Sequence, residues 1–229
     1  MTIKRSKGIK ACLLFIALYC FCSLAHAEEN ANFIRPGKLF SPSKIHLLED
    51  PKRDAWQKPE KIISALGVEK GQIIADIGAG SGYLTEKLSD YVGIEGIVYA
   101  VDIQREMLDY IAKRLKDKKP ENVTLVLGTM DDPKLPRGEH LDTAILLSTY
   151  HEIAKPIDFL KKVKHALKPH GKLAILEFGS KSPIGPPASV RLPEELVINE
   201  LKQAGFSLQQ KHTFLLPYQY FLVFTPSYP

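Results

Sequence analysis

Gln72-Ile-Ile-Ala-Asp-Ile-Gly-Ala-Gly-Ser-Gly-Tyr83 is the stretch that decides the fold. Ile73, Ile74, Ala75 and Ile77 form a short apolar run of the kind found in strands buried on both faces. Gly78, Gly80 and Gly82 follow. Without a Cβ they let the backbone turn tightly and come close to a ligand. A helix is expected to open at Tyr83. Helix N-termini present unpaired N–H groups, which suit the polar or anionic end of a nucleotide-like cofactor. A plain strand-to-helix connection would use the same residues.

The glycine spacing narrows the choice of cofactor. A dinucleotide fingerprint, G-x-G-x-x-G, needs its third glycine at position 83, where Tyr83 stands. The spacing here is G-x-G-x-G, preceded by Asp76. It resembles motif I of the class I S-adenosylmethionine-dependent methyltransferases, D/E-x-G-x-G-x-G. About 20 residues on, Ile97-Val-Tyr-Ala-Val-Asp102 is a second β-rich run that ends in an acid. Asp102, with Ile103 beside it, suits a ribose-binding carboxylate in either cofactor class. It equally suits a cap for a helix starting near Gln104.

The resemblance continues along the chain. Val123 to Leu127 reads as a third strand, and Gly128-Thr-Met-Asp-Asp132 follows it. In that family this junction holds the adenine, often through an acid in a Gly-Asp-Ala sequence. Here the resemblance implies Thr129 and Met130 lining the ring, with the acidic role moved to Asp131. Leu141 to Ser148 is the fourth strand and delivers Ser148-Thr-Tyr-His-Glu152 at its carboxyl end, where open α/β sheets bind ligands. His151 and Tyr150 are the candidate catalytic residues. Either could take a proton from a nucleophile, with Glu152 orienting the histidine. The other reading is that Tyr150 and His151 only shape the pocket. Leu167-Lys-Pro-His-Gly-Lys-Leu173 matches the Leu-Lys-Pro-x-Gly-x-Leu approach to strand five, Lys172 to Phe178.

The similarity thus spans about residues 51–226. It implies an α/β fold: a doubly wound, mostly parallel seven-stranded sheet, helices on both faces, and an antiparallel last strand. It implies S-adenosyl-L-methionine as cofactor and an in-line displacement by a small-molecule nucleophile. There is no Asp/Asn-Pro-Pro-Tyr motif, which disfavours base or amide N-methylation. No Asp-plus-Asn set resembles that of the catechol methyltransferases, so no metal is expected. A nicotinamide-dependent reductase is disfavoured by Tyr83 and by the lack of a Tyr-x-x-x-Lys pair.

Residues 1–27 read as a secretory signal peptide. Lys4, Arg5, Lys7 and Lys10 form a basic start, Ala11 to Leu24 an apolar core, and Ala25-His26-Ala27 a small-x-small cleavage site. The core is short for a membrane span of about 20 residues. Retention as an N-terminal anchor is the alternative, and the only route to membrane contact. All three cysteines (Cys12, Cys20, Cys22) lie in this leader. The mature chain therefore has no disulfide, thiolate metal site or cysteine nucleophile. The leader carries four of the 31 basic residues and no acid, so removing it lowers the net charge from +5 to +1. No nucleic-acid-binding surface is expected. Export also raises a tension, because the cofactor is made in the cytosol. An exported ligand-binding module that keeps the fold without catalysis is the alternative function.

Residues 28–50 read as an irregular arm or lid, and 51–229 as one methyltransferase-like domain. Pro59 to Gly67 is a helix with Ile62, Ile63 and Leu66 on one face. Trp56, the only tryptophan, either packs that helix on the sheet or lines the methionine end of the cofactor. Tyr83 to Val92 is a helix with Leu84, Leu88 and Tyr91 on one side. Gln104 to Lys118 is another, with Met107, Leu108, Ile111 and Leu115 inward and a lysine-rich end. After the helix at Ile157 to Leu167, the loop from Gly179 to Pro193 is expected to lie over the site. Glu194 to Ala204 is a last helix. Phe206 to Leu216 and Tyr218 to Thr225 then pair in antiparallel fashion around a tight turn at Pro217.

Overall fold

The computed structural model describes residue 35 and residues 38–228, save 119 and 139. The expected leader, the start of the arm and Lys119 lie outside the described residues.

Ile73–Ile77 is strand β1, and every residue from Ile74 to Ile77 is buried, as a strand covered on both faces requires. β2 (Ile97–Asp102) pairs with it on one side and β4 (Leu141–Leu147) on the other, both in parallel. β3 (Val123–Leu127) adds to β2, and β5 (Leu167–Phe178) to β4, again in parallel. β7 (Gln219–Pro226) is antiparallel to β5, and β6 (Phe206–His212) is antiparallel to β7. The order is β3-β2-β1-β4-β5-β7-β6. The expected seven-stranded, doubly wound sheet is the observed one. The chain builds outward from β1 to β3, then returns to the other side for β4. That switch opens a crevice at the carboxyl ends of β1 and β4.

The helices cover both faces. α1 (Arg53–Gln57) and α2 (Pro59–Leu66) are separated by Lys58, held at φ +50°. A residue before proline avoids the α-helical region, so the break falls there and Pro59 opens α2. α2 and α3 (Tyr83–Val92) share a cluster with Ile74, Val98, Ile145 and Phe221 on one face. α4 (Arg105–Arg114) buries Met107, Leu108 and Ile111, with Leu115 buried just beyond it. α5 (Pro156–Ala166) and α6 (Glu194–Gln203) pack on each other and on β5 and β6. They cover the opposite face, where the alternate residues Ala75, Leu146, Ile175 and Leu222 are buried.

Four details differ from expectation. In α3 the buried stripe runs through Leu84, Thr85, Leu88, Ser89 and Val92, which leaves Tyr91 at its margin, 40% exposed. β5 begins at Leu167, and Pro169-His170-Gly171 interrupts its register with β4 between Leu141 and Thr143. Proline has no N–H to give the ladder. β6 stops at His212, and residues 213–218 wind through two turns closed by Leu216 N–H to Thr213 C=O and Tyr218 N–H to Leu215 C=O. The connection is therefore longer than the tight turn expected at Pro217. Finally, the arm is regular from Pro42 to Glu49, a 3-10 helix with no buried residue.

Candidate functional site

A cavity of about 970 Å³ lies at the carboxyl ends of β1, β2, β4 and β5. Its floor is the glycine turn. Gly78 and Ala79 donate their N–H groups to Val101 C=O at 2.8 and 3.0 Å, and Gly80 N–H donates to Asp102 Oδ2 at 3.0 Å. Gly78, Gly80 and Gly82 have φ of +76°, +54° and +78°, values that L-residues with side chains adopt only under strain. Gly78 has a second constraint. A Cβ there would lie 2.3 Å from the Thr149 side chain at the end of β4.

Asp76 and Asp102 both border the cavity. Asp76 is buried and accepts the Thr85 hydroxyl at 2.6 Å. Burial pushes its carboxyl up to about 6, against the opposing pull of that hydrogen bond and of Arg53. Asp102 accepts the N–H of Gln104 at 2.9 Å on Oδ1, besides Gly80 on Oδ2. Asp102 therefore braces the turn that leads into α4, but it caps no N–H of the helix itself. A carboxylate has lone pairs left for a ligand, and burial raises the Asp102 carboxyl above its ordinary value. Ile103, Thr129 and Met130 lie in the same wall. Asp131 does not. A bridge between Thr129 and Asp132 turns it outward, where it is exposed and its C=O accepts Lys162 Nζ.

The carboxyl end of β4 separates the two catalytic candidates. Tyr150 is fully buried behind the wall. Its hydroxyl donates to Glu200 Oε2 at 2.8 Å, and the Arg35 guanidinium stacks 4.7 Å from its ring centre. Burial and Glu200 hold the phenol above its ordinary range. His151 lies in the wall. The expectation that Glu152 orients it is corrected. Nδ1 of His151 lies 3.0 and 3.1 Å from the two carboxylate oxygens of Glu177, the penultimate residue of β5. The His151 N–H also donates to Glu177 Oε1 at 3.2 Å. Burial works to lower the His151 pKa, but the carboxylates of Glu177 and Glu152 together outweigh it and the net direction is upward. Glu152 instead accepts the Phe40 N–H at 3.1 Å, and burial pushes its carboxyl up to about 7.

The roof comes from distant segments. Phe40 also receives Gln104 Nε2 on its C=O at 3.0 Å. Its peptide groups are thus clipped to both the β2 end and the β4 end. Leu48 of the 3-10 helix stands over Gly80. Ile184, Gly185 and Pro186 of the loop after β5 close the far side. Trp56 joins the roof from α1. Its ring packs 5.8 Å from Phe178 and 5.6 Å from Tyr218, and it borders the cavity.

Several wall residues escape sequence reading. Arg53 Nε, Gln57 Oε1 and Ser81 Oγ are buried polar atoms with no partner among the described residues, and all three residues line the cavity. Such atoms are costly unless a ligand satisfies them. A donor and an acceptor beside a glycine turn suit an amino-acid tail with its carboxylate and ammonium. The donor set therefore fits S-adenosylmethionine. Glu177 had a readable signal, an acid at a strand end like Asp102. Arg53 and Gln57 had none, because only the fold brings α1 to the turn.

Comparison with known proteins gives the class. A Methyltransferase domain family model matches residues 74–171. The crystal structure of a SAM dependent methyltransferase from Aquifex aeolicus is 30% identical and superposes with a TM-score of 0.77. The match covers 82% of this chain and 100% of that one. The chain belongs to the S-adenosylmethionine-dependent methyltransferases, and its cofactor is S-adenosylmethionine. Among curated relatives, the Ubiquinone/menaquinone biosynthesis C-methyltransferase UbiE of Azotobacter vinelandii is 34% identical over 122 residues, 52% of this chain and 47% of that protein. Its counterpart in Ectopseudomonas mendocina is 36% identical over 118 residues, 51% and 45% respectively. The chain spans about half the length of these relatives.

Proposed function

We propose that the chain transfers the methyl group of S-adenosylmethionine to a small-molecule acceptor held in the outer part of the cavity. One observation carries this reading: a single cavity joins the glycine turn and two strand-end acids to a histidine on the far side. We assign the cofactor to Asp76, Gly78, Gly80, Gly82, Asp102, Ile103, Thr129 and Met130. Asp102 takes the ribose hydroxyls, and Ile103, Thr129 and Met130 flank the adenine. Arg53 faces the carboxylate of the methionine tail and Gln57 its ammonium. When bound, S-adenosylmethionine supplies an electrophilic methyl on a sulfonium. The protein's own contribution is to orient the acceptor for in-line attack and to keep water out. Carbon, the acceptor atom in the name of the curated relatives, belongs in an acceptor screen together with oxygen.

Isothermal titration of the purified protein tests the cofactor. Micromolar binding of S-adenosylmethionine and S-adenosylhomocysteine, with none of NADH, is expected. Binding without methyl transfer across the acceptor screen would leave a ligand-binding module. Export is the compartment we propose, on the basic start, apolar core and Ala25-His26-Ala27 site. N-terminal sequencing of the chain recovered outside the cytoplasm should begin at Glu28. A chain that keeps the leader would instead be held at the membrane.

A further inference from the structure

Asp102, His151 and Glu152 stand in the cavity wall and Tyr150 lies behind it, and their partners differ. Asp102 is committed to two backbone N–H groups of the cofactor side. Glu152 is committed to the Phe40 N–H of the arm. Tyr150 lies behind the wall, bonded to Glu200. His151 alone is held entirely from behind. Both oxygens of Glu177 meet Nδ1, and Glu177 is 1% exposed and not part of the wall. An Nδ1 facing a carboxylate carries its hydrogen and donates it. Nε2, which no described residue hydrogen-bonds, then keeps its lone pair on the cavity side.

We propose that His151 is the general base of the methyl transfer, that Glu177 is its positioning residue, and that the acceptor is a protic nucleophile on an apolar body. This rests on the cofactor site assigned above and names the class of acceptor it serves. The acceptor's X–H bond breaks as the X–CH₃ bond forms. The proton goes to His151 Nε2, and the electron pair of the C–S bond stays on sulfur. One positive charge leaves the sulfonium and one appears on the imidazolium, so the net charge of the site is unchanged. Glu177 is where that charge is needed. A buried carboxylate beside Nδ1 offsets the hydration that an imidazolium loses on burial. The upward direction of the His151 pKa agrees with this pairing. The other charged groups acting on the ring are Glu152 on its own turn and Arg35 of the arm. A hydroxyl is the simplest acceptor for such a base, whereas an acceptor already ionised, such as a carboxylate, has no use for one. The body it carries is expected to be apolar, because Phe40, Trp56, Phe178, Ile184 and Pro186 form the surrounding walls.

The test needs no known acceptor. The full chain is labelled in its histidine rings, and the His151 Cε1–H resonance is identified as the one lost in His151→Gln. Its titration midpoint is then followed with S-adenosylhomocysteine bound and with S-adenosylmethionine bound. The sulfonium charge should lower the midpoint by about one pH unit relative to the neutral thioether. Glu177→Gln should lower it by about one unit with either ligand, while binding of S-adenosylhomocysteine stays within about twofold of the parent. Equal midpoints in the two complexes would place the ring away from the methyl group and overturn the proposal. So would a midpoint unmoved by Glu177→Gln. If that variant does not fold, the two-ligand comparison in the parent chain decides alone. Failure of both ligands to bind a folded chain would instead sink the cofactor reading, and this proposal with it.

Discussion

The two ends of the cavity are built in different ways. The cofactor end is made by backbone: three glycines at positive φ, two N–H bonds to Val101 C=O and one to a strand-end acid. The acceptor end is made by side chains reaching across the chain. Arg35 links to the carbonyls of Tyr150 and Ile153, more than 110 residues away, and to Glu200. Arg191 gathers the loop after β5 by donating to the carbonyls of Gly179, Ser180, Ser182, Ile184 and Pro186. A backbone-built end fixes one ligand and tolerates little change. A side-chain-built end can be re-cut by altering its clips, which is what a fold with one cofactor and many acceptors requires.

The sharpest way to break this comparison is Gly78→Ala. Its Cβ would meet Thr149 at 2.3 Å, at a φ of +76°. We expect a loss of roughly 2–5 kcal/mol of stability, from overpacking and left-handed strain together, and no measurable S-adenosylhomocysteine binding. Gly93→Ala is the control. Gly93 has φ +67° and ψ −175°, a conformation open essentially to glycine alone, but open space around it, so denaturant melts should show only the backbone cost, about 1–3 kcal/mol. Equal losses in the two would mean that the contact with β4 does not matter.

Arg191→Met addresses the other end. Removing a charged donor shared among five carbonyls should cost about 1–3 kcal/mol. Amides in 179–187 should exchange faster, by about tenfold or more, while S-adenosylhomocysteine affinity stays within about twofold. A matching fall in cofactor affinity would show that the two ends are coupled.

The smallest effect is expected at Glu152, the clip for the arm. Its carboxyl is raised from 4.5 to about 7 by burial. The folded state therefore holds a proton that the unfolded chain releases. Stability from this group is fully present below about pH 4.5 and is lost as pH rises through 7. Glu152→Gln keeps an acceptor for Phe40 but cannot ionise. It should gain about 1 kcal/mol over the parent at pH 8, a figure reduced for partial solvent screening, and nothing at pH 5. A pH-independent difference in urea midpoints would remove ionisation from the explanation.

The same contrast explains what the sequence could reveal. β1, the turn and Asp102 form a local unit, whose strand, glycines and acid follow one another in register. The seven-stranded order follows from it once the later strands are found. The acceptor end has no such continuity. Glu177 meets His151 across 26 residues and Phe40 meets Glu152 across 112. Glu152 reads as the partner of His151 because it is adjacent in sequence. In the fold, the turn after β4 points it at the arm, and the next strand supplies the acid instead. Asp131 misleads for a related reason, since the bridge that rotates it outward depends on Thr129 and Asp132 pairing.

Trp56 has a practical consequence. It is the single tryptophan of the chain, and its ring stands in the cavity wall against Phe178 and Tyr218. Indole emission from this protein therefore originates at one point, in the wall of the cavity proposed to hold cofactor and acceptor. Filling and emptying of the site can be followed in real time by ordinary fluorescence, without a label.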